Sequence, residues 1–330
     1  MRSVKLKPSH GLAALLVSLT VSCSAAPAPP VAQDEVAVTV QDCQGKDITF
    51  TSTPTRAVTL DGWAAQAMAR LGLTDRIVGT GFTGPLAVEK EPYLGALAKV
   101  PVISDKVPGT ESVAALRPDV VLTSFASFGG GSGPKDADLV TMGAPGIAGC
   151  IADRTRPMTD LSVTYDYLDR LGKVFRVEDR ATALITELKG REAAVRAKTS
   201  SGARPRVMAL ADNPVAGQPV KALGGSTPVN ALIELAGGTN VFSEVDGMHA
   251  DVSPEKIAEL DPQVIWVVTD FSFAKAKGEE LVGQIRANPF LATTSGARDG
   301  RIVSSSQYVV GFPSALNLDG LEQLARELHP

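Results

Sequence analysis

The stretch "ESVAALRPDVVLTS" at 111–124 recurs in altered form as "EKIAELDPQVIWVVT" at 255–269. In both, glutamate, an apolar residue, alanine, leucine and proline keep one register and lead into a β-rich apolar run. A helix that stops ahead of a proline and feeds a buried strand is half of a β–α unit. A chain that writes this unit twice is constrained to two related α/β lobes, each holding one copy.

The text around the copies agrees. "VAVTV" and "DITF" flank "QDCQGKD" as a hairpin with Gly45 in its turn. "RAVTL" is a strand, and in "DGWAAQAMARLG" Asp61 caps a helix that Gly72 ends. "RIVGTG", "VPVIS" and "DVVLTSF" are further strands, so strands alternate with helices and argue for a mostly parallel sheet. Between 158 and 198 nothing reads as a strand. Leu161, Tyr165, Leu168 and Leu171 share one helical face there, and Leu184, Ile185 and Leu188 another. That length suits a helix running from one lobe to the other, although "RVEDRA", with Asp179 early in it, offers a second helix start. After "TSSGARP" the pattern restarts with "RVMAL", "STPVNALIELAG", "SPEKIAELDP", "VIWVVTD" and "GRIVSSS", closing on the amphipathic "ALNLDGLEQLAREL". The expected division is an N-terminal α/β lobe at 36–157, an interlobe helix at 158–198 and a C-terminal α/β lobe at 199–330.

Ahead of this lies "MRSVKLKPSHGLAALLVSLTVSC": Arg2, Lys5 and Lys7, an apolar run from Gly11 to Val21, then small residues. Residues 1–22 read as a secretory signal, too short for a membrane span. Thr20-Val21-Ser22-Cys23 resembles a lipoprotein box, with Thr20 where leucine is usual. A diacylated Cys23 would anchor the chain without spanning the bilayer; cleavage near Ala25 or Ala26 is the other reading. Residues 23–35 form a Pro/Ala tether. The whole chain carries net charge −4, and losing the three basic residues of the signal makes it more acidic. With no basic run to neutralise phosphates, nucleic acid is excluded as a partner. Cys43 and Cys150 are then an even pair in an oxidising setting, where a disulfide is the ordinary outcome and two buried thiols the alternative.

Catalytic sets are missing. Gly79-Thr80-Gly81-Phe82-Thr83-Gly84 matches GxGxxG after a strand, but Pro85 and a loop-like segment follow where a dinucleotide site needs a helix. "FGGGSGP" lacks GK[ST], and GxSxG is absent. Of three histidines only His249 could serve a site, and in "DGMHADVSP" it reads as a loop residue. No cluster for zinc, manganese or iron–sulfur chemistry is present, and no resident cofactor is expected.

Strand ends carry a theme instead. Trp63, Phe82, Phe125 and Phe128 follow strands of the first lobe. Asp212-Asn213, Lys221, Asp270-Phe271, and Tyr308 with Phe312 occupy similar places in the second. Ligands of open α/β sheets bind beyond the carboxyl ends of strands, so Trp63, Phe82, Phe125, Phe128, Asn213, Lys221, Phe271 and Tyr308 are the candidate ligand contacts. Glu111 and Glu255 each open a helix, after Thr110 and after Ser253-Pro254, where a carboxylate favours the dipole.

The order of "ITFTSTPTRAVTLDGWAAQAMARLGLTDRIVGTGF", "VPVISDKVPGTESVAALRPDVVLTS", "LGKVFRVEDRATALITELKGREAAV" and "VSPEKIAELDPQVIWVV" resembles the solute-binding proteins that deliver ferric siderophores, haem or cobalamin to ABC importers. The resemblance covers nearly all of the chain after the signal. It implies two Rossmann-like lobes joined by one long α-helix, with ligand held in the cleft between them. It also implies one acidic residue per lobe docking on permease arginines, and Glu111 and Glu255 fall on those positions. The contexts of Cys43 and Cys150 look like a branch in which that pair is usual. The resulting expectation is a monomeric, non-enzymatic extracytoplasmic lipoprotein that captures an iron chelate and hands it to a permease dimer. Aromatic walls would bury the chelate, and Lys221, Arg154 and Arg156 are candidates to orient its oxygens. Cobalamin is the first alternative. Haem is another, with Tyr308 available as an axial ligand, and an envelope interaction protein is a third.

Overall fold

A hairpin opens the folded chain: β1 (Val38–Gln41) pairs antiparallel with β2 (Asp47–Phe50). The computed structural model describes residues 36–330 except 126, 130, 152–156, 216, 217, 219 and 246–248. The signal, the tether, Cys23, Arg154 and Arg156 lie outside these described residues. A Cys43–Cys150 disulfide ties the hairpin turn to the end of the first lobe's sheet, so the even pair is bonded. Arg170 braces the same corner by donating to Ala148 O at 2.7 Å.

The first lobe contains β3 (Ala57–Thr59), α1 (Gly62–Arg70), β4 (Ile77–Thr80), α2 (Tyr93–Leu97), α3 (Thr110–Ala115), β5 (Val120–Leu122), α4 (Asp136–Met142) and β6 (Gly146–Ile147). Its strands lie in the order β4-β3-β5-β6, all parallel. The strand expected at "VPVIS" shrinks to one bridge between Thr80 and Val102. Pro101 offers no N–H to a ladder, and Val102 stays exposed at the sheet's edge.

The helical stretch expected at 158–198 is two helices, α5 (Ser162–Val174) and α6 (Glu178–Thr199), packed on each other. The break is a Schellman turn. Val177 N donates to Gly172 O at 2.8 Å and Arg176 N to Lys173 O at 3.2 Å, with Arg176 in the left-handed region at φ 55°. No glycine marks this stop. Arg176 holds it with its side chain, donating to Thr53 Oγ1 at 2.9 Å and to Val36 O. Gly172 lets the two helices close, because a Cβ there would sit 2.5 Å from that of Ala181. The 22-residue α6 is the long connector, and it packs on the second lobe.

That lobe holds β7 (Arg206–Leu210), β8 (Val220–Leu223), α7 (Pro228–Leu235), β9 (Thr239–Asn240), β10 (His249–Val252), α8 (Pro254–Leu260), β11 (Val264–Thr269), α9 (Gly278–Arg286), α10 (Ser295–Arg298), β12 (Ile302–Ser306), α11 (Gln307–Val310) and α12 (Asn317–Leu328). The sheet runs β10-β8-β7-β11-β12 with β9 also on β7. β7, β11 and β12 are parallel, whereas β8 and β10 are antiparallel additions. His249, expected in a loop, therefore begins a strand. Among the described residues no helix is long and apolar enough to cross a membrane.

The repeated text folds into one module twice, helix α3 into β5 and helix α8 into β11. Both copies turn through a left-handed residue just before the proline, Arg117 at φ 47° and Asp261 at φ 40°. Each module is then locked by an arginine at the head of the neighbouring strand. Arg56 donates to the carbonyls of Leu116 and Arg117, and Arg206 to those of Leu260 and Asp261. The residue after each proline answers. Asp119 accepts from Arg56 N at 2.9 Å, and Gln263 Oε1 from Arg206 N at 3.0 Å. A planar guanidinium satisfies several carbonyls at a helix end that would otherwise lack partners.

Replacing Arg56 or Arg206 by alanine should each lower stability by about 1 kcal/mol. The losses should add in the double variant, because the sites sit in separate lobes. Chemical denaturation measures this; a single variant without effect contradicts the assignment of the forks.

Candidate functional site

Five aromatic rings meet where the carboxyl ends of the parallel strands of the two sheets converge. Asp61 caps α1 by accepting from Ala64 N at 2.9 Å and so fixes Trp63 in the first turn. Phe82 follows β4 in the left-handed region at φ 41°, which turns its ring inward against Trp63. Phe125 follows β5. From the second lobe, the Ser306 hydroxyl accepts from Tyr308 N at 3.2 Å and starts α11, which carries Tyr308 and leads to Phe312.

Trp63, fully buried, is the hub. Its ring centroid lies 5.6 Å from Phe82, 6.0 Å from Phe125, 6.1 Å from Tyr308 and 4.5 Å from Phe312. Phe125 meets Phe312 edge-on at 5.0 Å, and Phe82 meets Tyr308 at 6.4 Å. The indole Nε1 also donates to Tyr308 O across the lobes at 2.8 Å. Tilted and edge-on pairs at these separations are favourable ring geometries. Gly84 completes the seat, since a Cβ there would lie 2.5 Å from Cζ and Oη of Tyr308. The GxGxxG stretch thus ends in a short turn of Gly84–Val88, packed on the other lobe, in keeping with the rejection of a dinucleotide site.

Buried polar side chains lie behind the rings. The Asp61 carboxylate also accepts from the Thr123 hydroxyl at 2.7 Å and Ser124 N at 2.9 Å. Burial raises its pKa against the pull of these donors. Burial first, and then the charge of Asp61, push the Tyr167 phenol far up. In the second lobe Asn317, fully buried, uses both ends of its amide. Nδ2 donates to Val309 O and Phe312 O at 2.9 and 3.0 Å; Oδ1 accepts from Ser314 N and the Thr164 hydroxyl, both at 3.1 Å. Burial and the Asp270 carboxylate raise the pKa of Tyr308.

The structure thus brings together Trp63, Phe82, Phe125 and Tyr308 of the sequence-derived set, with Phe312. It does not bring Phe128 to them. That ring abuts Gly146 and Leu139 and lines a separate groove of about 660 Å³ beside the disulfide. Asn213 accepts from Asn288 Nδ2 at 2.9 Å, Lys221 lies in β8, and Phe271 stacks on Phe273 at 5.1 Å. None of these three belongs to the five-ring cluster. Glu111 and Glu255 are exposed in the first turns of α3 and α8. Ser253 caps α8, whereas Thr110 is already helical and donates to Asp138 instead of capping α3. Glu255's own backbone N–H and the Ser253 hydroxyl hold its carboxyl below the usual range. Among the described residues no group of three or more His, Cys, Asp or Glu could hold a metal.

The family model described as "Periplasmic binding protein" matches residues 58–308. The "Cobalamin-binding protein" of Halobacterium salinarum is 26% identical over 333 residues, covering 96% of this chain and 83% of that protein. The "Uncharacterized ABC transporter substrate-binding lipoprotein YvrC" of Bacillus subtilis is 22% identical, covering 89% and 86%. The crystal structure of an ABC-type Fe3+-hydroxamate transport system from Saccharomonospora viridis superposes with a TM-score of 0.74 at 24% identity, covering 89% of this chain and 99% of that one.

Replacing Gly84 by valine should force Tyr308 off its seat and admit water to Trp63. The tryptophan emission should then move to longer wavelength, and the shift should vanish in a Trp63→Phe background. An unchanged spectrum contradicts the tight seating of Tyr308 on Gly84.

Proposed function

The chain belongs to the periplasmic binding protein family, in the class of ABC-importer substrate-binding proteins for siderophores, haem and cobalamin, and from that premise we propose that it captures a ferric siderophore between its lobes. The observation that carries this reading is the five-ring cluster contributed by both lobes. Those rings already touch one another, so cargo enters by parting them and replacing ring–ring contact with ring–cargo contact. Apolar walls of this kind suit a chelate whose metal is fully coordinated by its own oxygens, and the protein then supplies no metal ligand.

Charge narrows the class. Among the described residues the Asp270 carboxylate acts on the Tyr308 hydroxyl with a negative charge, after burial the second cause of its raised pKa. An anionic cargo would meet this like charge unfavourably, which supports a neutral hydroxamate chelate over a catecholate or the propionates of haem. Cobalamin is the second reading, supported by the similarity to the halobacterial protein. Delivery uses Glu111 and Glu255, exposed at equivalent places of the repeated module, as docking carboxylates for permease arginines. Cys23 serves as the lipid anchor outside the cytoplasmic membrane, a role supported by the similarity to a Bacillus lipoprotein.

Titration of tryptophan fluorescence with a ferric trihydroxamate, a ferric catecholate, cobalamin and haem tests the cargo. The trihydroxamate should bind tightest; a Soret shift with haem, or tightest binding by cobalamin, replaces it. Reversing Glu111 and Glu255 to lysine together should abolish uptake while leaving affinity within twofold. Weakened binding in that variant overturns the docking role.

A further inference from the structure

We propose that each lobe aims its cargo-facing rings through one buried polar side chain, Asp61 in the first and Asn317 in the second, and that these two are positioning residues for capture. The inference rests on the cleft reading above but adds residues that touch no cargo.

Asp61 belongs to the loop that begins α1 and lies two positions before Trp63. Its carboxylate reaches across to Thr123 and Ser124, the two residues ahead of Phe125. One side chain therefore cross-links the two loops that bear Trp63 and Phe125. The Thr123 hydroxyl extends the link by accepting from Phe125 N at 3.1 Å. Asn317 does the same with opposite chemistry. Its Nδ2 gathers the carbonyls of Val309 and Phe312, its Oδ1 holds Ser314 N, and the Thr164 hydroxyl ties it to α5. The segment from Tyr308 to Phe312 is wrapped around that amide.

The atoms allow no exchange. Both oxygens of Asp61 accept from backbone N–H groups, Ala64 on one and Ser124 on the other. An amide, whichever way it is turned, would set an NH2 against an N–H. Nδ2 of Asn317 faces two carbonyls and Oδ1 faces a backbone N–H, so a carboxylate would set an oxygen against carbonyl oxygens, and a protonated carboxyl, with one O–H, could serve only one of the two. Each residue is fully buried, where such a mismatch is not relieved by water.

The test uses Asp61→Asn and Asn317→Asp in the purified full chain, each close to a one-atom exchange. The reporter is the indole N–H resonance of Trp63, assigned through Trp63→Phe, because that proton is donated to Tyr308 O. Both variants should shift it, leave the Trp266 indole in place, and weaken binding of a ferric trihydroxamate at least tenfold. Thr227→Ala is the control. It removes the hydroxyl cap of α7, which accepts from Asn230 N at 3.2 Å, and should lower melting temperature without moving the Trp63 resonance. If an exchange prevents folding, Thr123→Val or Thr164→Val carries the test for its lobe by deleting a single hydroxyl. A Trp63 resonance that stays put in either lobe's variant, or one that moves equally in the control, overturns the proposal. Should the wild-type chain bind none of the cargo probes, the capture reading fails, while the indole resonance still decides the positioning role.

Discussion

The two lobes cohere at their front through aromatic rings, and that choice governs how the molecule can work. Ring pairs contribute about 0.5–1.5 kcal/mol each beyond the area they bury, and they tolerate sliding and replacement by another flat or apolar surface. A front sealed by ion pairs would have to leave charges unpaired whenever cargo entered. Here a directional bond across the rings, from Trp63 to Tyr308 O, registers the lobes without making separation costly.

Away from the rings the chemistry differs. Arg191 on α6 donates to Asp319 at 2.7 Å and Glu322 at 2.8 Å on α12, and Lys90 of the first lobe approaches Asp319 at 3.4 Å. Lys90 is exposed and the other three groups are partly exposed, so each pair contributes on the order of 0–1 kcal/mol. Their role is orientation: a forked guanidinium fixes the angle between α6 and α12 better than an apolar contact can. The close packing of α5 on α6 at Gly172 and the Schellman turn at Arg176 stiffen the connector further.

Much of this was legible in the sequence, and the gaps have identifiable causes. Strands and caps were readable because their signals are local, as with Asp61 ahead of "GWAAQAMARLG" or Ser253 ahead of "PEKIAEL". The ring set was readable from the rule that sheet ends bind, since Trp63, Phe82, Phe125 and Tyr308 each lie close to the end of a strand. Phe128 obeyed the same rule in the text and yet turned away, because it sits in a loop whose direction depends on Gly129 at φ 84° and on packing against Leu139. The break in the connecting helix was hard to read because Arg176 occupies a site usually held by glycine, and its stabilising partners lie more than a hundred residues upstream. Asp61 showed its cap but not its second role, and Asn317 showed neither, because Thr123, Ser124 and Thr164 are remote in sequence. Long-range polar bonds leave no periodicity to detect.

The repeat explains more than the presence of two lobes. Because the turn geometry, the proline and the strand-head arginine recur together, each copy of the helix enters its strand through the same local geometry. Glu111 and Glu255 inherit equivalent relations to their own sheets from this, not from any contact with each other. The docking role proposed for these two carboxylates, on a partner with two like halves, requires such equivalence at each lobe separately. The arginine forks at Arg56 and Arg206 therefore hold the placement of the two first-turn carboxylates as well as contributing stability, since loosening one would let its carboxylate drift while the other stayed in register.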